Sequence, residues 1–182
     1  MATVKLTITE ALGEIKTILK KIESKRKFIG NHIMRQKQFT DPLENDGGSV
    51  KLIEQDMQAI EDLFKRMVAI RIAVQEANRK TKIAVGKISM TISEWLAWRK
   101  EVAPVQIGFY KHLLAGINSV RDEAIRNRAK FVSREQDATE PRDVIVHFSK
   151  KTLADRLESF ETALTELDAQ LSLKNATVTI EI

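Results

Sequence analysis

The side chains best equipped for chemistry are three histidines, His32, His112 and His147, and two glutamates, Glu10 and Glu94, which recur inside a repeated phrase. A helical metal pair needs a second histidine one turn away, and none of the three has one. The histidines fall in three separate predicted elements, so surface or seam-edge roles are expected of them. Each glutamate follows a threonine by three residues, Thr7 and Thr91, the spacing at which hydroxyl and carboxylate cap a helix start reciprocally. Capping therefore accounts for the acid pair without catalysis. The chain carries no phosphate-binding Gly-x-x-x-x-Gly-Lys-[Ser/Thr], no Gly-x-Gly-x-x-Gly and no Gly-x-Ser-x-Gly elbow, and no enzyme, cofactor or metal is expected.

Two other constellations point to contact. Trp95 and Trp98 lie three apart with Arg99 and Lys100 alongside, which suits either a docking patch or ordinary core with a stacked arginine. Arg121, Arg126, Arg128, Lys130 and Arg134 form a basic cluster that phosphates would favour, but Asp122, Glu123 and Glu135 weaken it and a single aromatic, Phe131, interleaves. A solvated face is the reading preferred for that cluster.

These residues must be positioned by helices. The 182 residues contain seven Gly, three Pro and few aromatics, while Leu, Ile, Ala, Glu and Lys abound. Absence of cysteine removes disulfides and thiolate sites and suits an intracellular or intra-particle setting. Apolar runs of a few residues fall far short of the ~20 that cross a bilayer, and the start does not read as a secretory signal, so a soluble chain is expected. Charge is uneven. Residues 1–37 carry nine basic against three acidic side chains and residues 153–182 carry two against six, so the two ends should attract.

Leu6-Thr7-Ile8-Thr9-Glu10-Ala11-Leu12 returns as Met90-Thr91-Ile92-Ser93-Glu94-Trp95-Leu96, each copy reading as a strand that feeds a helix. After the first copy a stripe of Ile8, Leu12, Ile15, Leu19, Ile22, Ile29 and Ile33, interrupted at Arg26, predicts a long helix. Residues 37–48 hold Asp-Pro and Asp-Gly-Gly turn chemistry. Ser49 would then cap a second helix with the stripe Val50, Ile53, Met57, Ile60, Phe64, Met67 and Val74, making an antiparallel hairpin. Residues 82–90 alternate as a short strand or hairpin about Gly86. The third helix runs from the second phrase to Ile125, and Pro104 either kinks it, the preferred reading, or divides it. Residues 132–142 read as a loop and 143–148 as a strand. Ser149 would cap a last helix with the stripe Leu153, Leu157, Phe160, Leu164, Leu167 and Leu171, and residues 176–182 form a terminal strand.

Asn78, Thr81, Ile83, Gly86, Ile92, Glu94, Leu96 and Arg99 resemble the central motif of septicolysin-like proteins, small helical proteins with a long hairpin. Leu167-Asp168, Leu171, Asn175 and Thr177 resemble the close of that family, and the Thr-x-x-Glu-Ala-Leu entry fits as well. Trp95, Pro104 and the lack of a tryptophan beside Asn175 depart from the pattern. The resemblance covers about a third of the chain and implies a fold and a habit of self-association rather than an activity.

The expected fold is mainly α: a long antiparallel helical hairpin plus two further helices, with short strands at the termini and near 82–90 and 143–148. It is read as one domain, with 1–80 the hairpin, 81–131 a strand and kinked helix, and 132–182 a loop, strand, helix and terminal strand. The strands would form one small sheet, or residues 3–8 and 176–182 would add to a neighbour's sheet. The expected role is a non-enzymatic structural or assembly subunit, cytoplasmic or within a phage head, neck or tail, that self-associates through heptad seams and terminal strands. Trp95, Trp98, Arg99, Val178, Ile180 and Ile182 are the interface candidates. The partners are further copies or other assembly subunits, with no small-molecule substrate. A membrane-active toxin-like oligomer and a basic nucleic-acid-binding module are the alternatives.

Overall fold

Both copies of the repeated phrase do locally what their spacing dictates. The hydroxyls of Thr7 and Thr91 accept the N–H of Glu10 and Glu94 at 3.2 Å, and each carboxylate accepts the threonine's own N–H at 2.7 Å. Each box converts a strand into a helix within one residue. The computed structural model describes residues 4–131 and 147–182 and is mainly α. The chain separates into two compact units: residues 1–81 with 171–182, and residues 82–170. The stretch 132–182, read above as one segment, is thus shared between the two, its last twelve residues belonging with the first hairpin.

In the first unit, β1 (Lys5–Thr7) leads into α1 (Ile8–His32), a loop with a short 3-10 turn at Glu44–Asp46, and α2 (Ser49–Lys80). At the carboxyl end β4 (Thr179–Glu181) pairs antiparallel with β1, Leu6 opposite Ile180, and Lys5 meets Glu181 at 3.0 Å. The terminal strands therefore pair with each other within the chain. Opposite end charges help align them, although an exposed ion pair of this kind contributes little by itself.

The core of this unit is Ile8, Ala11, Ile15, Ile18, Ile70 and Ile180. Its stripe along α1 keeps Ile8, Ile15 and Ile22 of the expected one but takes Ala11 and Ile18 in place of Leu12 and Leu19. Ala11 and Ile18 face inward, whereas Leu12 is 39% and Leu19 49% exposed. Both sets step by four and three from Ile8, so periodicity alone cannot separate them. Packing does, because a small residue at Ala11 lets neighbouring backbone approach. On α2 the inward residues include Leu63, Met67, Ile70, Val74 and Ala77, while Val50, Met57 and Phe64 face out.

Ser49 does not cap α2. Gly48 stands at the cap position, and Asp41 reaches across the loop to accept the Ser49 N–H at 2.8 Å, the Ser49 hydroxyl, and the Leu43 N–H at 3.0 Å. Gly47 and Gly48 have φ of 103° and 90°, left-handed values that leave the turn to glycine.

In the second unit, β2 (Lys82–Val85) and β3 (Ile88–Thr91) form a hairpin closed at Gly86, φ 55°, whose N–H donates to Glu166 at 3.1 Å. The strands thus make two separate two-stranded sheets, β1–β4 and β2–β3, not one. After β3 come α3 (Ile92–Ala97), a π turn at Trp98–Val102, and α4 (Ala103–Phe131). Pro104 has no N–H for the Lys100 carbonyl, and just before it the Ala103 N–H bonds to Trp98, five residues back. The proline is accommodated by a widened turn.

Helix α5 (Lys150–Thr177) starts with the Thr152 N–H on the Ser149 hydroxyl and runs antiparallel to α4. Tyr110 stacks on Phe160 at 5.6 Å, Lys111 meets Glu161 at 3.2 Å and Lys150 meets Asn118 at 2.7 Å. Its stripe is as expected, with Leu153, Leu167 and Leu171 buried. The loop 132–142 and most of the strand candidate 143–148 lie outside the described residues, and His147 and Phe148 form an exposed bend.

The two-copy phrase belongs to a larger repeat. Strand, helix, helix, strand occurs once from Lys5 to Val85 and again from Ile88 to Glu181. Core positions correspond: Ile8 with Ile92, Ile70 with Leu167, Ile83 with Ile180, all nearly inaccessible. Pairing is crosswise, the first strand with the fourth and the second with the third. Each unit is completed by the strand that ends the other repeat.

Candidate assembly surface

The first hairpin has one closed side and one open side. Glu14 and Arg66 form a two-bond pair, 2.9 Å at its shorter contact, along one edge of the seam. Lys25 and Asp56 pair further along, and together the two pairs fix which residues lie level across the antiparallel helices. On the opposite edge this register sets Leu12, Phe64, Leu19 and Met57 in succession along the hairpin. All four are accessible, Phe64 at 46% and Met57 at 53%. With a rise of about 1.5 Å per residue they line a groove of roughly 16 Å.

The two rims of this groove differ in charge. By helical spacing, the α1 rim beyond Leu12 and Leu19 carries Lys16, Lys20 and Lys27, with Glu23 paired to Arg26 at 2.9 Å. The α2 rim beyond Met57 and Phe64 carries Glu54, Glu61 and Val68. Lys20, Glu54 and Glu61 take part in no ion pair among the described residues. An apolar floor between a basic and an acidic rim suits recognition of another amphipathic helix surface.

The interface candidates named from the sequence are placed differently. Trp95 is 2% exposed, and its indole N–H donates to the Ile83 carbonyl at 3.1 Å. It is core of the second unit. Trp98 crosses it edge-on at 5.4 Å and donates to the Gln106 side chain at 3.2 Å. Arg99 pairs with Asp168 at 3.0 Å, so it tethers α5 instead of stacking on either tryptophan. Ile180 is a core residue, and Val178 and Ile182 pack partly buried against the same cluster. Three of the six therefore belong to the second unit and three to the first. The groove is hidden in the sequence because a heptad reading places its leucines on the inward stripe.

The histidines are brought together more than their sequence positions suggest. His112 and His147 both line an apolar cleft of about 560 Å³ between α4 and the start of α5, with Phe109, Tyr110, Phe148 and Arg156. The Arg156 guanidinium lies 5.7 Å from the centre of the Phe148 ring. His32 stands apart, its ring tilted against Phe28 with centroids 4.5 Å apart and its Nδ1 2.8 Å from the Phe28 carbonyl oxygen. No group of three or more metal-ligating side chains converges among the described residues. In the basic cluster, Arg126 is exposed, and Arg134 and the side chains of Arg128 and Lys130 lie outside the described residues.

Three of the perturbed acids mark structural joints, while Glu23 is lowered by the hydrogen bond from Arg26. Hydrogen bonds from the Thr7 and Thr91 backbones, then from their hydroxyls, hold Glu10 and Glu94 below the usual carboxylate range. Asp41 is held at about 2, chiefly by the Ser49 hydroxyl and then by the Ser49 and Leu43 N–H groups. Each carboxylate is occupied by a helix start. No helix among the described residues is long and apolar enough to cross a membrane. Compared with known proteins, the chain matches no family model, no curated protein and no solved structure.

Proposed function

We propose that this chain is a non-enzymatic structural subunit that self-associates through the faces of its helices. The observation that carries the reading is the open groove of the first hairpin. Leu12, Leu19, Met57 and Phe64 extend the buried stripe onto a face that the two helices cannot cover by themselves. Leaving four large side chains about half wet forgoes roughly 1 kcal/mol each, a cost that docking of another helix surface removes. Val105, Phe109 and Phe148 add further apolar exposure on the second unit.

The terminal strands have a different part in this reading than exchange with neighbours. Because β1 and β4 satisfy each other, they join the two ends of the chain and stiffen the hairpin that presents the groove. Self-association is tested by sedimentation velocity of the purified protein over a hundredfold concentration range. The expected result is a mass that rises to a multiple of 20.7 kDa. A compact monomer at every concentration overturns the proposal.

A further inference from the structure

The chemistry of the groove's rims specifies its occupant. We infer that the groove is filled by the same groove of a second copy, with α1 of each copy lying on α2 of the other, as an antiparallel four-helix bundle. This rests on the self-association proposed above and adds the partner, the face and the register.

Three observations on the first unit carry it. The floor is apolar on both helices, so the floor of an identical groove is an adequate cover. The rims are of opposite sign, basic on α1 and acidic on α2. Finally, the register set by Glu14 with Arg66 and Lys25 with Asp56 places Lys20 level with Glu61, and Lys27 level with Glu54, on opposite edges of one hairpin.

Two arrangements bring identical hairpins face to face. A two-fold axis running across the helices lays α1 on α1 and opposes lysine rim to lysine rim, which like charges disfavour. An axis parallel to the helices keeps every residue at its own level and exchanges the edges. Lys20 then meets Glu61 of the second copy, Lys27 meets its Glu54, and both contacts recur by symmetry. One level further, the exposed Val68 meets Gly13, which has no side chain to oppose it. All adjacent helices in this arrangement are antiparallel, as in bundles packed by coiled-coil rules.

The test uses the full chain. Phe64→Glu should convert the associated protein to monomer while far-UV circular dichroism keeps its helical signal. Lys20→Glu and Glu61→Lys should each weaken association about tenfold or more, and the double reversal should restore it. Because the protein contains no cysteine, the double variant Lys20→Cys/Glu61→Cys carries the only thiols. A short bis-maleimide should link it into covalent dimers, whereas Lys20→Cys alone should stay unlinked. That cross-link also decides the matter should Phe64→Glu fail to fold. A wild-type chain that never associates refutes the self-association proposal itself. A wild-type chain that associates while Phe64→Glu keeps its mass, or while the double-cysteine variant gives no dimer, refutes only this pairing.

Discussion

The Trp95 indole N–H bonds to the carbonyl of Ile83 at 3.1 Å and locks the start of the third helical segment onto the β2–β3 hairpin. At the corresponding place in the first repeat stands Ala11, fully buried. The same strand-to-helix junction thus buries a large ring in one copy and a single methyl group in the other. Trp95→Phe retains most of the packing but strips the Ile83 carbonyl of its donor, and should cost about 1–3 kcal/mol. Trp95→Ala adds a cavity and should cost about 3–5 kcal/mol. Urea unfolding followed by circular dichroism measures both, and equal costs for the two variants would show that the hydrogen bond contributes nothing.

The capping boxes should matter about equally, since their geometries agree within a tenth of an ångström. Thr7→Ala and Thr91→Ala should each lower stability by about 1 kcal/mol, with Thr→Ser largely neutral. Thermal unfolding of the four variants settles it. A null effect at Thr91 would mean that Trp95 alone fixes the start of that helix.

Acid should loosen the protein through identifiable joints. Glu10, Glu94 and Asp41 have folded-state pKa values below their ordinary ones, Asp41 at about 2. In the acid range the unfolded chain binds more protons than the folded one. Their contribution is therefore complete above the ordinary carboxylate range and is lost as pH falls through it toward about 2. Melting temperature should hold steady from neutral pH down to about 5 and drop steeply below about 4. Asp41→Asn should flatten part of that drop, and an unchanged acid limb would remove Asp41 from the account.

Glu14 and Arg66 are both about two-thirds covered, and hydrogen bonding to Glu14 raises the Arg66 pKa further above its already high value. A double-mutant cycle with Glu14→Gln and Arg66→Gln should give a coupling of about 1 kcal/mol that shrinks modestly in high salt. A coupling near zero would mean that the seam, and not this pair, sets the hairpin register.

Much of the architecture was legible in the sequence because it rests on local chemistry. The Thr-x-x-Glu boxes, the turn at Gly86 and the leucine stripe of α5 each involve residues a few positions apart whose types leave one solution. The misses share a different cause. Leu12 and Ala11, or Leu19 and Ile18, fit a heptad equally well, and only the partner helix decides which faces in. Ser49 looked like a cap because Asp41, eight residues earlier, is brought to the same N–H only by the folded loop. His112 and His147 line one cleft, near α4 and just before α5, a relation invisible to spacing. The groove follows the same rule: once the inward stripe shifts by one residue, the displaced leucines become its floor.

Pro104 presents the last test, since it lies just beyond a π turn on a helix otherwise continuous from Ile92 to Phe131. Its ring excludes the ordinary bond to the Lys100 carbonyl, and the register slips by one residue at Trp98–Val102. The slip also carries Trp98 to the position from which it reaches Gln106. Pro104→Ala restores the missing donor and should let the segment return to regular α-helix, raising stability by about 1–3 kcal/mol. The same change should move Trp98, so its fluorescence should shift while that of Trp95 stays constant. Trp98→Phe in the same background separates the two emissions. A stabilised variant with unaltered Trp98 emission would mean that the π turn is held by packing of the tryptophan pair and not by the proline.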